Sequence, residues 1–290
     1  MAAPAKVNLS LRVLERRDDG YHELDGVMAR LRLRDELALE PGDEAGDTIE
    51  REPVGDALLD DAHVPLGGDN LIARAGAAYR EAAASRGVAV PPLRWRLRKR
   101  IPLAAGLAGG STDAATALRL LAARFPASVD LVALAAALGS DVPFFLLDAP
   151  AARARGRGER LDPVPVPPQP LLLAYPNVSV RAGDAYAWWR AEAAARTGES
   201  APWWRGPALV NDLEPGVERH VPEVASLLRT LRAMHDGPVA MSGSGSACVA
   251  LAPDTAAAEA LAERLRERVA SSTWLHVCAL ADGAAGPGRP

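Results

Sequence analysis

Residues 101–118 read IPLAAGLAGGSTDAATAL, and this stretch decides the fold. Its three glycines, Gly106, Gly109 and Gly110, stand among alanines, and side chains this small let backbone N–H groups approach a ligand closely. Good helix formers follow, and at a helix N-terminus the unpaired amides and the helix dipole both favour an anion such as phosphate. The structural alternative is a flexible loop followed by a buried helix. The stretch is neither a Walker P-loop nor a dinucleotide fingerprint, because it lacks both glycine patterns.

The helix that follows the glycines is expected to run over residues 114–121, with Ala114, Leu118 and Leu121 on one face. The hydroxyl and carboxyl side chains of residues 111–113 resemble a helix N-cap. This cap predicts that the helix begins after the last glycine.

The composition of the 290-residue chain indicates about two globular domains, and a hydrophobic fraction of 49% is enough to form their cores. A net charge of −4 offers no basic field for nucleic acid. No apolar run reaches the length of a membrane span, and residues 1–13 contain no signal-peptide core. Cys248 and Cys278 do not make a disulfide framework, which favours a cytoplasmic protein. The charge and the apolar pattern predict no nucleic-acid or membrane partner, and the oligomeric state, monomer or homodimer, stays open.

The use of lysine is unusual. Of 33 Lys and Arg residues, only Lys6 and Lys99 are lysines. The wide guanidinium of arginine cannot replace a compact ammonium group in a tight site. Because both lysines lie beside candidate motifs, we expect each to occupy a position that needs a point charge.

Residues 5–13 alternate strictly, which predicts a strand whose odd-numbered residues face the core. Lys6 and Asn8 then lie on the opposite face, about 7 Å apart along the strand. A solvated strand face is the structural alternative for this pair. A tight turn leads on to Tyr21 and His22, for which the alternative is an aromatic edge that packs on the turn.

Local patterns predict the remaining framework. Residues 25–66 indicate short strands and acidic turns. The other predicted elements are helices over 70–86, 131–138, 223–234 and 256–270, and strands over 93–98, 171–176 and 275–280. Asp69 or Asn70 is expected to cap the first of these helices. The proline-rich residues 162–170 indicate a connection between domains, and the tail from Asp282 is expected to be disordered.

Two further segments contain candidate functional residues. Asp141 lies in GSDVPFFLL at residues 139–147, where an ionised carboxylate needs a partner or a chemical role. Its structural alternative is a turn or capping aspartate. A second glycine-rich run, MSGSGSACVAL at residues 241–251, leads into an apolar strand. The tryptophans between residues 188 and 204 have no assignment, since a surface lid and a packed helix pair are both possible.

The glycine-rich stretch resembles the second signature of the GHMP kinases. The matching residues are Pro102, Gly106, Leu107, Gly109, Gly110, Ser111, Asp113, Ala114 and Ala115. Ala108 stands where many members have glycine, so we expect this residue to keep ordinary backbone angles. Residues 139–143 match the family's catalytic G-x-D-V-P segment, and residues 241–251 match its third signature. Residues 211–214, NDLE, match a family turn, and a capping box is an equally good interpretation of them.

The N-terminal sequence resembles one branch of this family. Residues 4–13, PAKVNLSLRV, and residues 16–24, RRDDGYHEL, are similar to the branch that phosphorylates the cytidine diphosphate ester of methylerythritol. The Tyr-His pair separates this branch from homoserine and mevalonate kinases. The resemblance spans roughly residues 3–281 and implies an α+β fold. The implied domains are ribosomal-protein-S5-like over residues 1–161, which binds ATP, and ferredoxin-like over residues 162–290.

The resemblance also implies a mechanism and its cofactors, ATP and Mg²⁺. Asp141 would accept the proton of the substrate 2-hydroxyl, and Lys6 would pair with it and stabilise charge on the γ-phosphoryl group. Mg²⁺ would bridge the phosphates near Ser111 or Thr112. The family often has a Ser or Thr where this chain has Ala182, so the expected hydroxyl is either missing or supplied by a neighbour.

The predicted site residues fall into three roles, and no metal ligand is predicted among them. They are Lys6 and Asp141 for catalysis; Asn70, Lys99, Pro102, Leu103, Ala104, Ala105, Gly106, Leu107, Ala108, Gly109, Gly110, Ser111 and Thr112 for ATP; and Asn8, Tyr21 and His22 for the substrate. Two alternatives stay open: a GHMP kinase for another small alcohol, of the homoserine or mevalonate type, and a catalytically inactive binding module of the same fold.

Overall fold

The computed structural model describes residues 1–18, 20–43, 46–60, 63–192 and 209–282, without the side chains of residues 190–192. In chain order the elements are β1 (Ala2–Arg16), β2 (His22–Pro41), β3 (Thr48–Glu52), α1 (Ala57–Asp60), α2 (Leu71–Ala84), β4 (Leu93–Arg98), α3 (Gly109–Arg124), α4 (Leu131–Leu138), α5 (Val142–Leu146), β5 (Ala151–Gly156), β6 (Arg160–Pro163), β7 (Pro170–Tyr175), α6 (Ala182–Glu192), β8 (Val210–Asn211), α7 (Glu214–His220), α8 (Pro222–Met234), β9 (Val239–Met241), β10 (Cys248–Leu251), α9 (Thr255–Arg266) and β11 (Trp274–Ala279). Within these ranges no helix combines the length and the apolar character that crossing a membrane requires.

The chain forms two compact units that alternate along the sequence. The first unit consists of Met1–Ala5, Leu33–Leu103 and Ala108–Asp148. The second unit consists of Lys6–Arg32, Ala104–Leu107 and Ala149–Pro290. Strands β1 and β2 therefore contribute residues to both units. The domain boundary between residues 161 and 162 stays a prediction.

The first unit packs helices on a small sheet. β4 pairs antiparallel with the end of β2, and β3 pairs parallel with β4. The inward face of β4 buries Leu93, Trp95 and Leu97, and α2 packs on α3. The predicted strand over 93–98 and the helix over 131–138 are both confirmed, because each is fixed by a local apolar pattern.

The second unit has a four-stranded antiparallel sheet in the order β11-β7-β10-β9. Helices α8 and α9 pack on it, and the shared core includes Leu172, Leu228 and Leu265. β5 and β6 pair beside the first half of β2, and β8 lies parallel to β1. The predicted strands at 171–176 and 275–280 and the last two helices are confirmed within a few residues at their ends.

The prediction of short strands over residues 25–66 is correct for β3 at Thr48–Glu52 but wrong before it, because β2 continues without a break from His22 to Pro41. β5 pairs with its first half and β4 with its second half, so neighbouring strands extend a segment that contains turn formers. Gly26 is required there, because a Cβ atom would collide with the Ser10 carbonyl.

The start of α3 differs from the prediction in three ways. The helix begins at Gly109 rather than at residue 114, and residues 111–113 are not its cap, since Thr112 and Asp113 are buried within it. Its N-cap is Ala108, which forms no side-chain capping hydrogen bond. Ala108 has φ of 57° and ψ of 34°, so the expectation of ordinary angles is also wrong. A methyl group in this left-handed conformation costs about 1–2 kcal/mol.

Candidate active site

Lys6 and Asn8 lie together on β1, in the second unit, and both are buried. The exposed fraction of Lys6 is 4%, and its ammonium donates a 2.6 Å hydrogen bond to the Asn8 carboxamide. The alternative of a solvated strand face is therefore wrong for this pair. Burying an ammonium group is expensive unless the charge has partners, so this position needs a reason beyond solubility.

The turn that contains Gly106 packs against the loop between β9 and β10, in the same unit. The Ser242 hydroxyl accepts from the Asn8 N–H at 3.3 Å and donates to the Gly106 carbonyl at 3.1 Å. The Ala247 N–H donates to the Ala105 carbonyl at 3.0 Å. Gly106 has φ of 76°, and a Cβ atom there would collide with the Ser242 carbonyl. The first strand, part of the glycine-rich stretch and the second glycine-rich run therefore meet at one place.

His22 packs against α6 in the second unit. Its ring is stacked on Tyr186, with centroids 5.1 Å apart and an interplanar angle of 11°. The Trp189 ring meets it edge-on at 5.4 Å. The sequence left these tryptophans unassigned, and Trp203 and Trp204 lie outside the described residues. Tyr186 was missed altogether, because nothing local indicates that a helix far along the chain contacts His22.

Tyr21 is the exposed member of the Tyr-His pair. Its exposed fraction is 51%, and the Arg157 guanidinium lies 4.7 Å from its ring centroid. Arg157 belongs to the turn between β5 and β6, where its backbone N–H donates to the Glu159 carboxylate at 2.6 Å. A guanidinium cation therefore lies against an aromatic ring that solvent can reach, which is a favourable contact.

The N-terminus of α3 fits an anion. The Ala108 carbonyl accepts from the Thr112 N–H at 3.0 Å, but Ala108 has no side-chain cap to offer the N–H groups of Gly109, Gly110 and Ser111. Gly110 is exposed at this end, whereas Gly109 is buried. Pro102 is buried, Leu103 and Ser111 are half-buried, and the Thr112 hydroxyl has no hydrogen-bond partner among the described residues.

Lys99 lies beneath this helix start, in the first unit, with an exposed fraction of 3%. Its ammonium contacts the Asp35 carboxylate and lies 2.9 Å from Asp113 Oδ2. A Cβ atom on Gly109 would lie 2.7 Å from Lys99 Nζ and 3.0 Å from an Ile101 side-chain carbon. The absence of a side chain at Gly109 therefore makes room for the lysine.

The ion triad Asp35–Lys99–Asp113 has strongly perturbed acidities. Burial lowers the pKa of Lys99, but the two carboxylates outweigh burial and raise the pKa to about 12. Burial raises the pKa of Asp113 to about 7; Lys99 opposes this increase and the Asp35 charge adds to it. Asp35 is held by the N–H groups of Arg100 at 2.5 Å and Ile101 at 2.8 Å. The sequence identified Lys99 and interpreted Asp113 as part of a helix cap, but it missed Asp35, which lies 64 residues before Lys99 along the chain.

Asp141 stands at the N-cap position of α5, in the first unit. Its carboxylate makes no capping hydrogen bond, so the capping alternative does not account for it. The helix behind it is apolar, and Val142, Phe144 and Phe145 are buried. A half-buried carboxylate beside this apolar helix is a suitable acceptor for a proton from a bound hydroxyl.

Two other expected polar groups have local roles. Asn70 caps α2, where its Oδ1 accepts from the Ile72 N–H at 2.8 Å and its Nδ2 donates to the Pro65 carbonyl at 2.6 Å. The cap prediction is confirmed, and the adenine role of Asn70 stays a prediction. Ser179 is exposed and hydrogen-bonds the Tyr175 phenol, and Ala182 begins α6.

The predicted residues thus form separate groups within the two units. In the second unit, Lys6 and Asn8 join the turn at Gly106, and His22 joins α6. In the first unit, Lys99 lies beneath Gly109 at the start of α3. Among the described residues, no cluster of three or more His, Cys, Asp or Glu side chains could hold a metal ion.

Comparison with known proteins gives matches along the chain. The model of the GHMP kinases N terminal domain matches residues 70–149, and the model of the GHMP kinases C terminal matches residues 198–271. Both matched segments contain residues of the groups described above, namely the start of α3 and the loop after β9.

Curated relatives are similar over almost the whole chain. A 4-diphosphocytidyl-2-C-methyl-D-erythritol kinase from Deinococcus radiodurans is 44% identical over 282 residues, with 92% of this chain and 88% of the relative covered. The protein of the same name from Thermus thermophilus is 40% identical, with 98% of each chain covered. A crystal structure of 4-(cytidine 5'-diphospho)-2C-methyl-D-erythritol kinase is 39% identical and has a TM-score of 0.78, with 97% of this chain and 99% of that chain covered.

Proposed function

The chain belongs to the GHMP kinases, and we propose that it transfers the γ-phosphoryl group of ATP to the 2-hydroxyl of 4-diphosphocytidyl-2-C-methyl-D-erythritol. The observation that carries the substrate assignment is the aromatic surface formed by Tyr21, by His22 and by the rings of α6 around it. A cytosine base offers a face to stack on and an edge to hydrogen-bond, and stacking contributes on the order of 1–3 kcal/mol. Homoserine and mevalonate have no base and would not use this surface.

In the proposed reaction, the first-turn amides of α3 and the backbone of residues 103–112 hold the ATP phosphates. The uncapped helix start and the exposed Gly110 support this role. Mg²⁺, when bound, neutralises charge on the phosphates as they transfer. The Ser111 hydroxyl, which is half-buried at the start of α3, and the buried Thr112 hydroxyl are the residues that would help to hold this ion. Asn70 and Lys99 remain the proposed residues near the adenine.

Asp141 and Lys6 perform the proton and charge steps. As the substrate oxygen bonds to the γ-phosphorus, the bond from that phosphorus to the β-bridging oxygen breaks and ADP leaves. The hydroxyl proton moves to Asp141, whose carboxylate is not used as a helix cap. Lys6 stabilises the charge on the transferring group, and Asn8 fixes the ammonium position. Tyr21, His22 and Asn8 bind the cytidine end.

We also propose that the reaction takes place in the cytoplasm, as expected from the cysteine content.

A panel of acceptors tests this function. ADP release should be fast with the cytidine diphosphate ester and far slower with methylerythritol phosphate, homoserine or mevalonate. Tyr21→Ala should raise KM for the ester, with a loss on the order of 1–3 kcal/mol in binding, while KM for ATP stays nearly constant. Leu14→Ala removes a similarly exposed apolar side chain and is the control.

Asp141→Asn sets the background of this assay, and its kcat should fall by about 10²-fold or more. Equal turnover of a base-free alcohol would overturn the cytidine assignment and leave a GHMP kinase for another substrate. No turnover of any acceptor by the wild-type protein would instead indicate an inactive binding module.

A further inference from the structure

We propose that Asn211 is a positioning residue for phosphoryl transfer, which holds the Met241–Gly243 backbone against Lys6 and Gly106. The inference rests on the proposed function, since it gives Asn211 a part in that reaction. It concerns residues of the second unit only. Asn211 was noted in the sequence as the start of a turn or capping box, without any role at the site.

The neighbouring backbone on β1 and in the turn after β8 holds Asn211 in place. It ends β8, where it lies opposite Leu11 of β1, and the following N–H, that of Asp212, donates to the Leu11 carbonyl at 2.9 Å. Its Oδ1 accepts from the Leu213 N–H at 3.0 Å. This bond forms an Asx turn rather than a capping box, since the N-cap of α7 is Leu213 and has no side-chain capping hydrogen bond. The capping interpretation is therefore wrong, and the Asx turn leaves the carboxamide nitrogen facing away from the turn.

The carboxamide nitrogen donates both of its hydrogens to one loop. The acceptors are the carbonyls of Met241 at 2.7 Å and Gly243 at 2.8 Å, and the exposed fraction of Asn211 is 8%. Asn211 therefore makes three hydrogen bonds in a buried place. An amide supplies one acceptor and two donors in a plane, which no carboxylate or hydroxyl side chain of this size can do.

The loop held in this way lies against the proposed chemistry. A Cβ atom on Gly243 would be 3.0 Å from the Gly106 carbonyl oxygen and 3.2 Å from Lys6 Nζ, so the backbone there is already in close contact. The adjacent Ser242 hydroxyl bridges the Asn8 N–H and the Gly106 carbonyl. Displacement of the carbonyls held by Asn211 would therefore displace the groups that contact Lys6 and Gly106.

Such a displacement should affect turnover more than binding of the cytidine end. Misplacement of about 1 Å in a site can reduce the rate by about 10²-fold. Asn211→Asp keeps the size of the side chain and the bond to Leu213, but it presents a carboxylate oxygen to two carbonyl oxygens. We expect kcat to fall by roughly 10- to 100-fold, with KM for the cytidine ester changed by less than about threefold.

A pH profile distinguishes positioning from a general loss of stability. A buried carboxylate facing two carbonyls takes up a proton readily, and the protonated acid regains one donor. The ratio of kcat for Asn211→Asp to kcat for wild type should therefore rise as the pH is lowered from about 8 to about 6. The other charged groups around this loop are Glu214, Arg232 and Lys6, together with Asp212 and Arg12 on the turn. Because wild type and Asn211→Asp share these groups, their titration affects both values of kcat and does not change the ratio.

Two further variants complete the experiment. Asn211→Ser removes the paired donors without adding a titratable group, so its kcat should fall without any recovery at low pH. Asp212→Asn is the matched control: its side chain contacts Arg12 at 2.7 Å and the Val13 N–H at 3.1 Å, on β1 rather than on the loop. It should lower the melting temperature while kcat stays within about twofold, since neither contact involves the Met241–Gly243 backbone.

The proposal is overturned if both Asn211 variants have wild-type kcat while their melting temperatures fall, or if Asp212→Asn reproduces their kcat loss. If Asn211→Asp does not fold, the serine variant alone decides between these outcomes. Failure of the proposed function is a different result, because the wild-type protein would then be inactive on the cytidine ester.

Discussion

At the scale of single residues, the two lysines of this arginine-rich chain are both buried beside short-range partners. Lys6 Nζ has Asn8 at 2.6 Å and lies close to Gly243, where a Cβ atom would come within 3.2 Å of the ammonium nitrogen. Lys99 contacts two carboxylates and lies against the backbone of Gly109. At either position a wider, planar guanidinium would have to displace these close neighbours. This is why the few lysines of this chain occur where they do.

Lys6→Arg should therefore impair turnover although the charge is kept. The longer, planar group would push against Gly243 and lose the bond to Asn8. We expect kcat to fall by at least about 10-fold, approaching the roughly 10²–10³-fold cost of losing one charge-stabilising donor, with both KM values little changed. Steady-state kinetics measure the effect. Arg12→Lys on the same strand keeps its charge and should behave like wild type; unchanged kcat in Lys6→Arg would remove Lys6 from the chemistry.

The raised pKa of Asp113 makes the free energy of unfolding depend on pH. Its pKa is raised from 3.8 to about 7 by burial, so it binds its proton more tightly when folded. The contribution of Asp113 to the free energy of unfolding is fully present below about pH 4 and is lost as the pH rises through about 7. Asp113→Asn removes this dependence and can still accept from Lys99. The free energy of unfolding of the variant, relative to wild type, should rise between pH 5 and pH 8.

Urea denaturation without nucleotide or Mg²⁺ measures this difference. Glu259→Gln, on the exposed side of α9, is the control and should give the same slope as wild type. A difference between Asp113→Asn and wild type that is constant with pH would show that Asp113 does not titrate in this range.

At the scale of elements, the two glycines at the start of α3 have different roles. Gly109 faces Lys99, whereas a Cβ atom on Gly110 would have only Leu71 Cδ1 in contact, at 3.4 Å. Gly109→Ala should displace the lysine from the buried triad and cost about 3–5 kcal/mol, the usual scale for breaking a buried ion pair. Gly110→Ala should be neutral or stabilise by up to about 1 kcal/mol, because alanine favours a helix.

Thermal melting measures the stability of these two variants, and nucleotide titration measures their affinity for ATP. The Gly110 methyl group adds bulk at the exposed amides, so Gly110→Ala should bind ATP more weakly while it remains fully stable. Equal stability of the two variants would show that Lys99 does not depend on the space at Gly109. Unchanged ATP affinity in both would remove the start of α3 from the nucleotide site.

The elements also show which parts of the fold the sequence could predict. β4 and α4 were predicted within one residue because each apolar pattern ends at a clear local signal. The start of α3 was not, because a pair of glycines indicates a loop locally, and only the packing of Lys99 explains why the helix begins there. The same holds for the site. Motifs identified Lys6, Asp141 and the glycines, whereas Ser242 and Tyr186 act through contacts between distant parts of the chain.

At the scale of the whole molecule, the proposal requires two ligands whose binding stabilises the folded chain. A ligand that binds only the folded state, at 100 times its Kd, adds about 2.7 kcal/mol to the free energy of unfolding. For a chain of this size the melting temperature should then rise by roughly 5–10 °C. The experiment uses cytidine diphosphate, with a non-hydrolysable ATP analogue already saturating so that the nucleotide site is filled.

Under these conditions cytidine diphosphate should raise the melting temperature of the wild type and of the Leu14→Ala control equally. Tyr21→Ala should lose most of that increase, because the exposed Tyr21 ring, which lies beside the Arg157 guanidinium, supplies the stacking face. It should keep the increase produced by the ATP analogue alone, since the proposed ATP residues are unchanged. A wild-type protein that cytidine diphosphate does not stabilise, or a Tyr21→Ala variant that loses only the response to the ATP analogue, would contradict the assignment of this surface to the nucleobase of the substrate.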